Sequence, residues 1–201
     1  MDILIGCEYS GIVREAFRKK GHRAYSCDLL PADDNSEWHI QNDVVKAINE
    51  SFNWDLIILH PPCTALAVSG NAHYAPGKPK YSERLASLEW TISLWETAKE
   101  KAQMVALENP VGILSNYLGK PSTVQPYEFG HDASKKTCLW LHNLLPLSPT
   151  CYIKPRIVNG MKRWGNQTDS GQNKLPPSDD RWKIRSTTYQ GIADAMADQW
   201  G

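Results

Sequence analysis

The chain has 201 residues, with 22 Lys plus Arg against 22 Asp plus Glu, 41% hydrophobic and 22% charged residues. Such a length suits a single domain with a sizeable core, and the zero net charge excludes a global field for polyanions, so a nucleic-acid site must be a local patch. Five cysteines without a CxxC pair argue against a disulfide framework or zinc ribbon, and no leader or membrane-length apolar run is apparent, so a cytoplasmic protein without metal is expected.

Residues 1–7 (MDILIGC) predict a first strand, and Glu8-Tyr9-Ser10-Gly11 a turn. Residues 12–22 then predict a helix, with Ile12, Val13, Ala16 and Phe17 at helical spacing and Gly21 as its stop. Strand, turn and helix open a Rossmann-like unit. With a single glycine the turn is no phosphate-cradling GxGxxG; another role for such a turn is to hold a non-phosphorylated adenosyl cofactor. Residues 23–30 (RAYSCDLL) predict a second strand ending near Asp28, whose carboxylate serves either a cofactor ribose or an ordinary surface turn. A polar loop follows, with Asp43 at the end of a short third strand and a brief helix over 44–52.

The stretch from Asp55 to Cys63, DLIILHPPC, organises the chain. Four apolar residues, Leu56 to Leu59, read as a strand buried on both faces, and His60-Pro61-Pro62 ends it, because proline cannot donate to a sheet ladder. Cys63 therefore falls just past the carboxyl end of a central strand, where open α/β sheets place their ligands. There it is either a nucleophile or a small buried hydrophobe. Residues 64–81 are rich in Gly, Pro, Ser and Asn, long for a loop, and placed to act as a lid. A helix over 82–101 follows, with Leu85, Leu88, Ile92 and Trp95 as its core stripe.

Residues 103–108 (QMVALE) predict another buried strand, running into Glu108-Asn109-Pro110. Glu108 reads as an acid beside the nucleophile or as a helix cap. Residues 135–141 form a later strand with a basic entry. In residues 148–185, eight basic side chains face three acidic ones, leaving +5, with Trp164 and Trp182 interleaved. That composition suits either a phosphate backbone with a stacking base or a solvated loop. An amphipathic helix over 189–200, packing Ile192, Ala193 and Met196, closes the chain.

Taken together, these landmarks resemble the DNA cytosine carbon-5 methyltransferases, over residues 1 to about 142 and again in the final helix. ILIGCEYSGIVREAFRKKGH is similar to their opening strand-turn-helix, HPPCTALA to the Pro-Cys motif, and LENP to the Glu-Asn-Val motif. More narrowly, the chain resembles the short forms found in bacteriophages and prophages. It lacks the Gln-x-Arg-x-Arg motif, having Lys135-Lys136-Thr137 there, and it lacks a full target-recognition domain, whose place the basic 148–185 segment takes.

The resemblance implies an α/β, Rossmann-like S-adenosylmethionine-dependent methyltransferase fold, with a mostly parallel sheet flanked by helices. It implies Cys63 as a nucleophile whose thiol His60 holds down, Glu108 as a protonated acid, and Asn109 as the residue that orients the loop. S-adenosyl-L-methionine contacts fall to Glu8, Tyr9, Ser10, Gly11, Asp28, Asp43 and Pro61. DNA contacts fall to Lys135, Arg156, Lys162, Arg163, Trp164, Arg181 and Lys183. Other readings are a methyltransferase for another pyrimidine, an amino-methyltransferase, which would place an aromatic where Cys63 stands, and a degenerate fold that binds nucleic acid or protein.

Overall fold

The computed structural model describes residues 1–50 and 53–201. Its centre is a seven-stranded sheet of β1 (Asp2–Gly6), β2 (Arg23–Asp28), β3 (His39–Gln41), β4 (Trp54–Leu59), β5 (Ala102–Pro110), β6 (Ser122–Val124) and β7 (Thr137–His142). The spatial order is β3-β2-β1-β4-β5-β7-β6. The first five strands pair in parallel, and β7 runs antiparallel between β5 and β6. The chain steps outward from β1 to β3 and then crosses back to the other side of β1. The switch point therefore lies between β1 and β4, where such sheets open a crevice beyond the strand ends.

The sheet is covered on both faces, as parallel strands require. Helices α1 (Ile12–Lys19) and α6 (Gln190–Trp200) pack Val13, Phe17, Ile192 and Met196 against Ile3, Ile5, Leu56, Ile58 and Ala106. On the other face α2 (Val44–Glu50) and α4 (Tyr81–Lys101) pack Ile48, Leu88, Leu94 and Trp95 against Leu4, Ile57, Leu59, Val105 and Leu107. Neighbours along each strand thus alternate between the two cores, and each such Leu or Ile stabilises the fold by about 1.5–3 kcal/mol.

Several sequence expectations meet corrections. The buried stripe of α4 starts at Arg84 rather than Leu85, which is 46% exposed. The helix is rotated because the Arg84 guanidinium reaches backbone carbonyls beneath it. The 64–81 loop holds short helical turns, including α3 (Asn71–Tyr74). The helix expected over 44–52 is described as far as Glu50, and its last two positions lie outside the described residues. The basic segment holds secondary structure of its own: β8 (Arg156–Val158) and β9 (Met161–Arg163) form a hairpin, and α5 (Arg181–Ser186) precedes α6. Asn159 and Gly160 both have positive φ, 49° and 74°, as a two-residue hairpin turn demands.

Candidate active site

Register assembles the site. Gly6, Leu59 and Leu107 stand level across β1, β4 and β5, so Cys7, His60 and Glu108 leave the sheet together at its carboxyl edge. His60 donates its backbone N–H to the Gly6 carbonyl at 2.9 Å, extending the ladder by one residue before Pro61 ends it. The His60 Nδ1 lies 3.6 Å from Glu108 Oε2, an ion-pair separation longer than a hydrogen bond, with side chains only 10% and 17% exposed.

Cys63, half-buried, is carried on a loop sewn to the one that follows Glu108. Asn109 donates its side-chain N–H to the Pro61 carbonyl at 3.0 Å. Val68 N–H bonds the Val111 carbonyl, and Ile113 N–H bonds the Leu66 carbonyl, each at 3.0 Å. The approach requires glycine at 112, where an added Cβ would stand 2.2 Å from the Leu66 carbonyl oxygen. From below, Arg84, 3% exposed, donates Nε to the Ala65 carbonyl at 2.6 Å and a guanidinium N–H to Asn71 Oδ1 at 2.9 Å. Nothing in the pattern of α4 signals that role, because an arginine at the edge of an apolar stripe reads as solvent-facing.

The protonation states depart from the sequence expectation. Burial and then the nearby Glu108 charge push the Cys63 thiol up, against the opposing pull of Lys135 and Arg185. Burial alone would raise the Glu108 carboxyl, but His60, Lys135 and the Thr137 hydroxyl outweigh it and hold the carboxyl below its ordinary value. Both directions favour a protonated Cys63 and an ionised Glu108. The sequence expectation pairs His60 with the thiol, whereas here the imidazole faces Glu108.

The opening turn, after β1, has two left-handed positions, Cys7 at φ 59° and Gly11 at φ 71°. Cys7 thus takes a conformation usually left to glycine, which is why a glycine search of the sequence found only one. Glu8 is buried and caps α1, accepting the Val13 N–H at 2.7 Å and the Arg14 N–H at 3.3 Å. Both carboxylate oxygens are thereby engaged by the first turn of the helix. Asp28 and Asp43 are half-buried at the ends of β2 and β3, and both act electrostatically on Cys7. Asp28 Oδ1 accepts the Leu30 N–H, and Asp43 Oδ1 accepts the Val45 and Lys46 N–H groups at the start of α2. Such acceptors fit the hydroxyls and amino groups of an adenosyl moiety. Tyr9 is buried and bonded to Ser186 Oγ at 3.1 Å, Ser10 receives the Ile12 N–H, and Pro61 is buried under the Asn109 bond.

The basic residues divide. Trp164 is 8% exposed and stacked on Tyr127 at 4.1 Å between centroids, so it is not free to stack on a base. Arg163 is buried, with its guanidinium on the Asp169 and Lys162 carbonyls. Both expectations are corrected. Arg156 is exposed but paired with Asp169, and Lys162 is exposed. Arg181 and Lys183 stand on α5, which lies against the opening turn. Lys135 donates to the Arg185 carbonyl at 2.7 Å, drawing α5 toward the Glu108 side. Trp182, the other aromatic interleaved with the basic residues, is 53% exposed and lies 5.9 Å from the Tyr9 ring.

Among the described residues no group of three His, Cys, Asp or Glu could hold a metal ion, and no helix is long and apolar enough to cross a membrane. No model of a known protein family matches the chain, and no curated protein matches it.

Proposed function

We propose that the chain is an S-adenosylmethionine-dependent methyltransferase that modifies carbon 5 of cytosine in DNA. The observation that carries this reading is the single hydrogen-bonded unit, beside the switch point of the sheet, that holds the Cys63 loop after β4 against the loop after Glu108 of β5. A thiol and a carboxylate delivered from two strand ends suit addition across a polarised ring.

Carbon 5 of cytosine is a poor nucleophile. Bonding of the Cys63 sulfur to carbon 6 moves the C5=C6 π pair to C4–C5, and the C4=N3 pair takes a proton on N3. The resting pair carries one proton, on Cys63, which is the number this addition consumes. Glu108 passes it from sulfur to N3 and is again an anion afterwards. Positioned proton transfer of this kind contributes ~10²–10⁴-fold. S-adenosylmethionine, when bound, supplies the methyl group as an electrophile. Asp28 and Asp43 would hold its adenosyl part, with Tyr9 and Gly11 shaping the turn beside it. Loss of the C5 proton to water and expulsion of Cys63 as a thiolate restore the C5=C6 bond, and the N3 proton returns through Glu108 to the sulfur. In duplex DNA the target base must leave the stack, at a cost of a few kcal/mol. Lys162, which is exposed, and Arg181 and Lys183, half-buried on α5, would meet phosphate.

The test uses purified protein, S-adenosylmethionine labelled in its methyl group, and unmodified DNA. Label on cytosine carbon 5, lost in Cys63→Ala, is the expected result. No label, together with no cofactor binding by calorimetry, would replace this reading with that of a binding module on a methyltransferase-like fold.

A further inference from the structure

His60 has an environment that neither the nucleophile nor the loop bonds explain. It occupies the strand end between β1 and β5, level with Cys7 and Glu108, and its backbone N–H is fixed on the Gly6 carbonyl. Its Nδ1 faces Glu108 at 3.6 Å. Its Nε2 is buried and, among the described residues, has no hydrogen-bond partner. A buried polar atom without a partner costs about 1–3 kcal/mol, so an apolar side chain of similar size would suit this position better if packing were its only task.

We propose that His60 is a positioning residue, fixed between the opening turn and the end of β5, that holds the Glu108 carboxylate ready to carry the Cys63 proton to the base; the proposal rests on the methyl-transfer reading. The alternation along β5 explains the pairing. Glu108 projects to the same face as Ala106, and the level residue on the neighbouring strand is His60, whereas Asn109 projects the other way to bond Pro61. Other groups share the field. Glu8, beyond β1, feels the imidazole, with Arg14 behind it. Lys135 and the Thr137 hydroxyl, at the start of β7, act on Glu108 alongside His60. Cys138, also on β7, feels Glu108, while Arg185 of α5 acts on Cys63. The imidazole is the closest cation-forming group to Glu108 that comes from the nucleophile's own strand, so it links the two halves of the site.

A merely structural histidine and a positioning one differ in what moves with pH. Transfer needs the pair Cys63 plus Glu108 with one proton, a state bounded below by the titration of Glu108 and above by that of Cys63. Loss of His60 lifts the lower bound. The experiment is carbon-13 NMR of glutamate-labelled protein, with the Glu108 signal assigned by Glu108→Gln, read beside the pH profile of kcat/KM. His60→Gln and His60→Asn are both used, so that a fold lost in one leaves the other to be read. Expected is a rise of the Glu108 midpoint by about one pH unit, with the acid limb of the rate moving by the same amount, tenfold in rate below it. An unmoved Glu108 midpoint, even with turnover lowered equally at every pH, overturns the proposal. Absence of methyl transfer by the unaltered protein would instead refute the reading beneath it, and the NMR titration would still decide whether His60 holds Glu108.

Discussion

Asn109 donates its side-chain N–H to the backbone carbonyl of Pro61 at 3.0 Å, joining two strand ends 48 residues apart. The bond sets where Cys63 stands relative to Glu108, and geometry at that scale governs rate: a displacement of about 1 Å costs on the order of 10²-fold. Asn109→Ala is expected to lower turnover by ~10² while leaving cofactor affinity near its original value, with a stability loss of about 1–3 kcal/mol. Gly112→Ala, which sets a Cβ against the Leu66 carbonyl, should reproduce the rate loss from the opposite loop. Steady-state kinetics with calorimetric binding check both, and unchanged turnover in Asn109→Ala would show that the loops keep their alignment without the bond.

Glu8 gives a prediction about pH. Burial is the larger influence on its carboxyl and raises it, against the His60 charge and the Val13 and Arg14 amides. An acid whose folded-state value exceeds its unfolded one favours the fold below the unfolded value and loses that contribution as pH rises through the folded value. The stability difference between the protein and Glu8→Gln should therefore shift against the unaltered protein as pH rises above the ordinary glutamate range of about 4.3. Urea unfolding of both proteins across that range measures it. A difference that grows in favour of the unaltered protein with rising pH would mean that the helix terminus outweighs burial.

The two interleaved tryptophans should separate cleanly. Trp164 is buried on Tyr127, so Trp164→Ala is expected to cost about 3–5 kcal/mol of stability. Trp182 is half in water on α5, so Trp182→Ala should leave the unfolding midpoint nearly unmoved and weaken DNA binding at fixed salt, as loss of a stacking face does, by about 1–3 kcal/mol. Thermal melts and a fluorescence binding titration are enough. Normal DNA affinity in Trp182→Ala would remove α5 from the nucleic-acid surface.

What could be read in advance follows the range of the interactions. The apolar run before His60-Pro61-Pro62 announced β4 and its end, because burial on both faces and the missing proline donors are local properties. The final helix was legible for the same reason. The rotation of α4 was not, since Arg84 is drawn inward by carbonyls of a loop 17 to 19 residues earlier. Asn159-Gly160 is itself a local hairpin signal, but the strands flanking it are only three residues each and lack an apolar alternation to mark them. Trp164 and Trp182 look alike in composition, and only Tyr127, brought up by the fold, tells them apart. The contact of His60 with Glu108 depends on the register of β4 against β5, which no single stretch of chain contains.

The buried Arg84 clamp beneath the Cys63 loop has a consequence for how the site keeps its shape. A guanidinium remains charged at any pH in which a protein survives, and its planar donors bind carbonyls that do not titrate. Acidity therefore alters the charge on Glu108 without loosening the frame on which Cys63 is mounted. Inactivation at an extreme of pH should accordingly reverse on return to neutrality for as long as that frame holds.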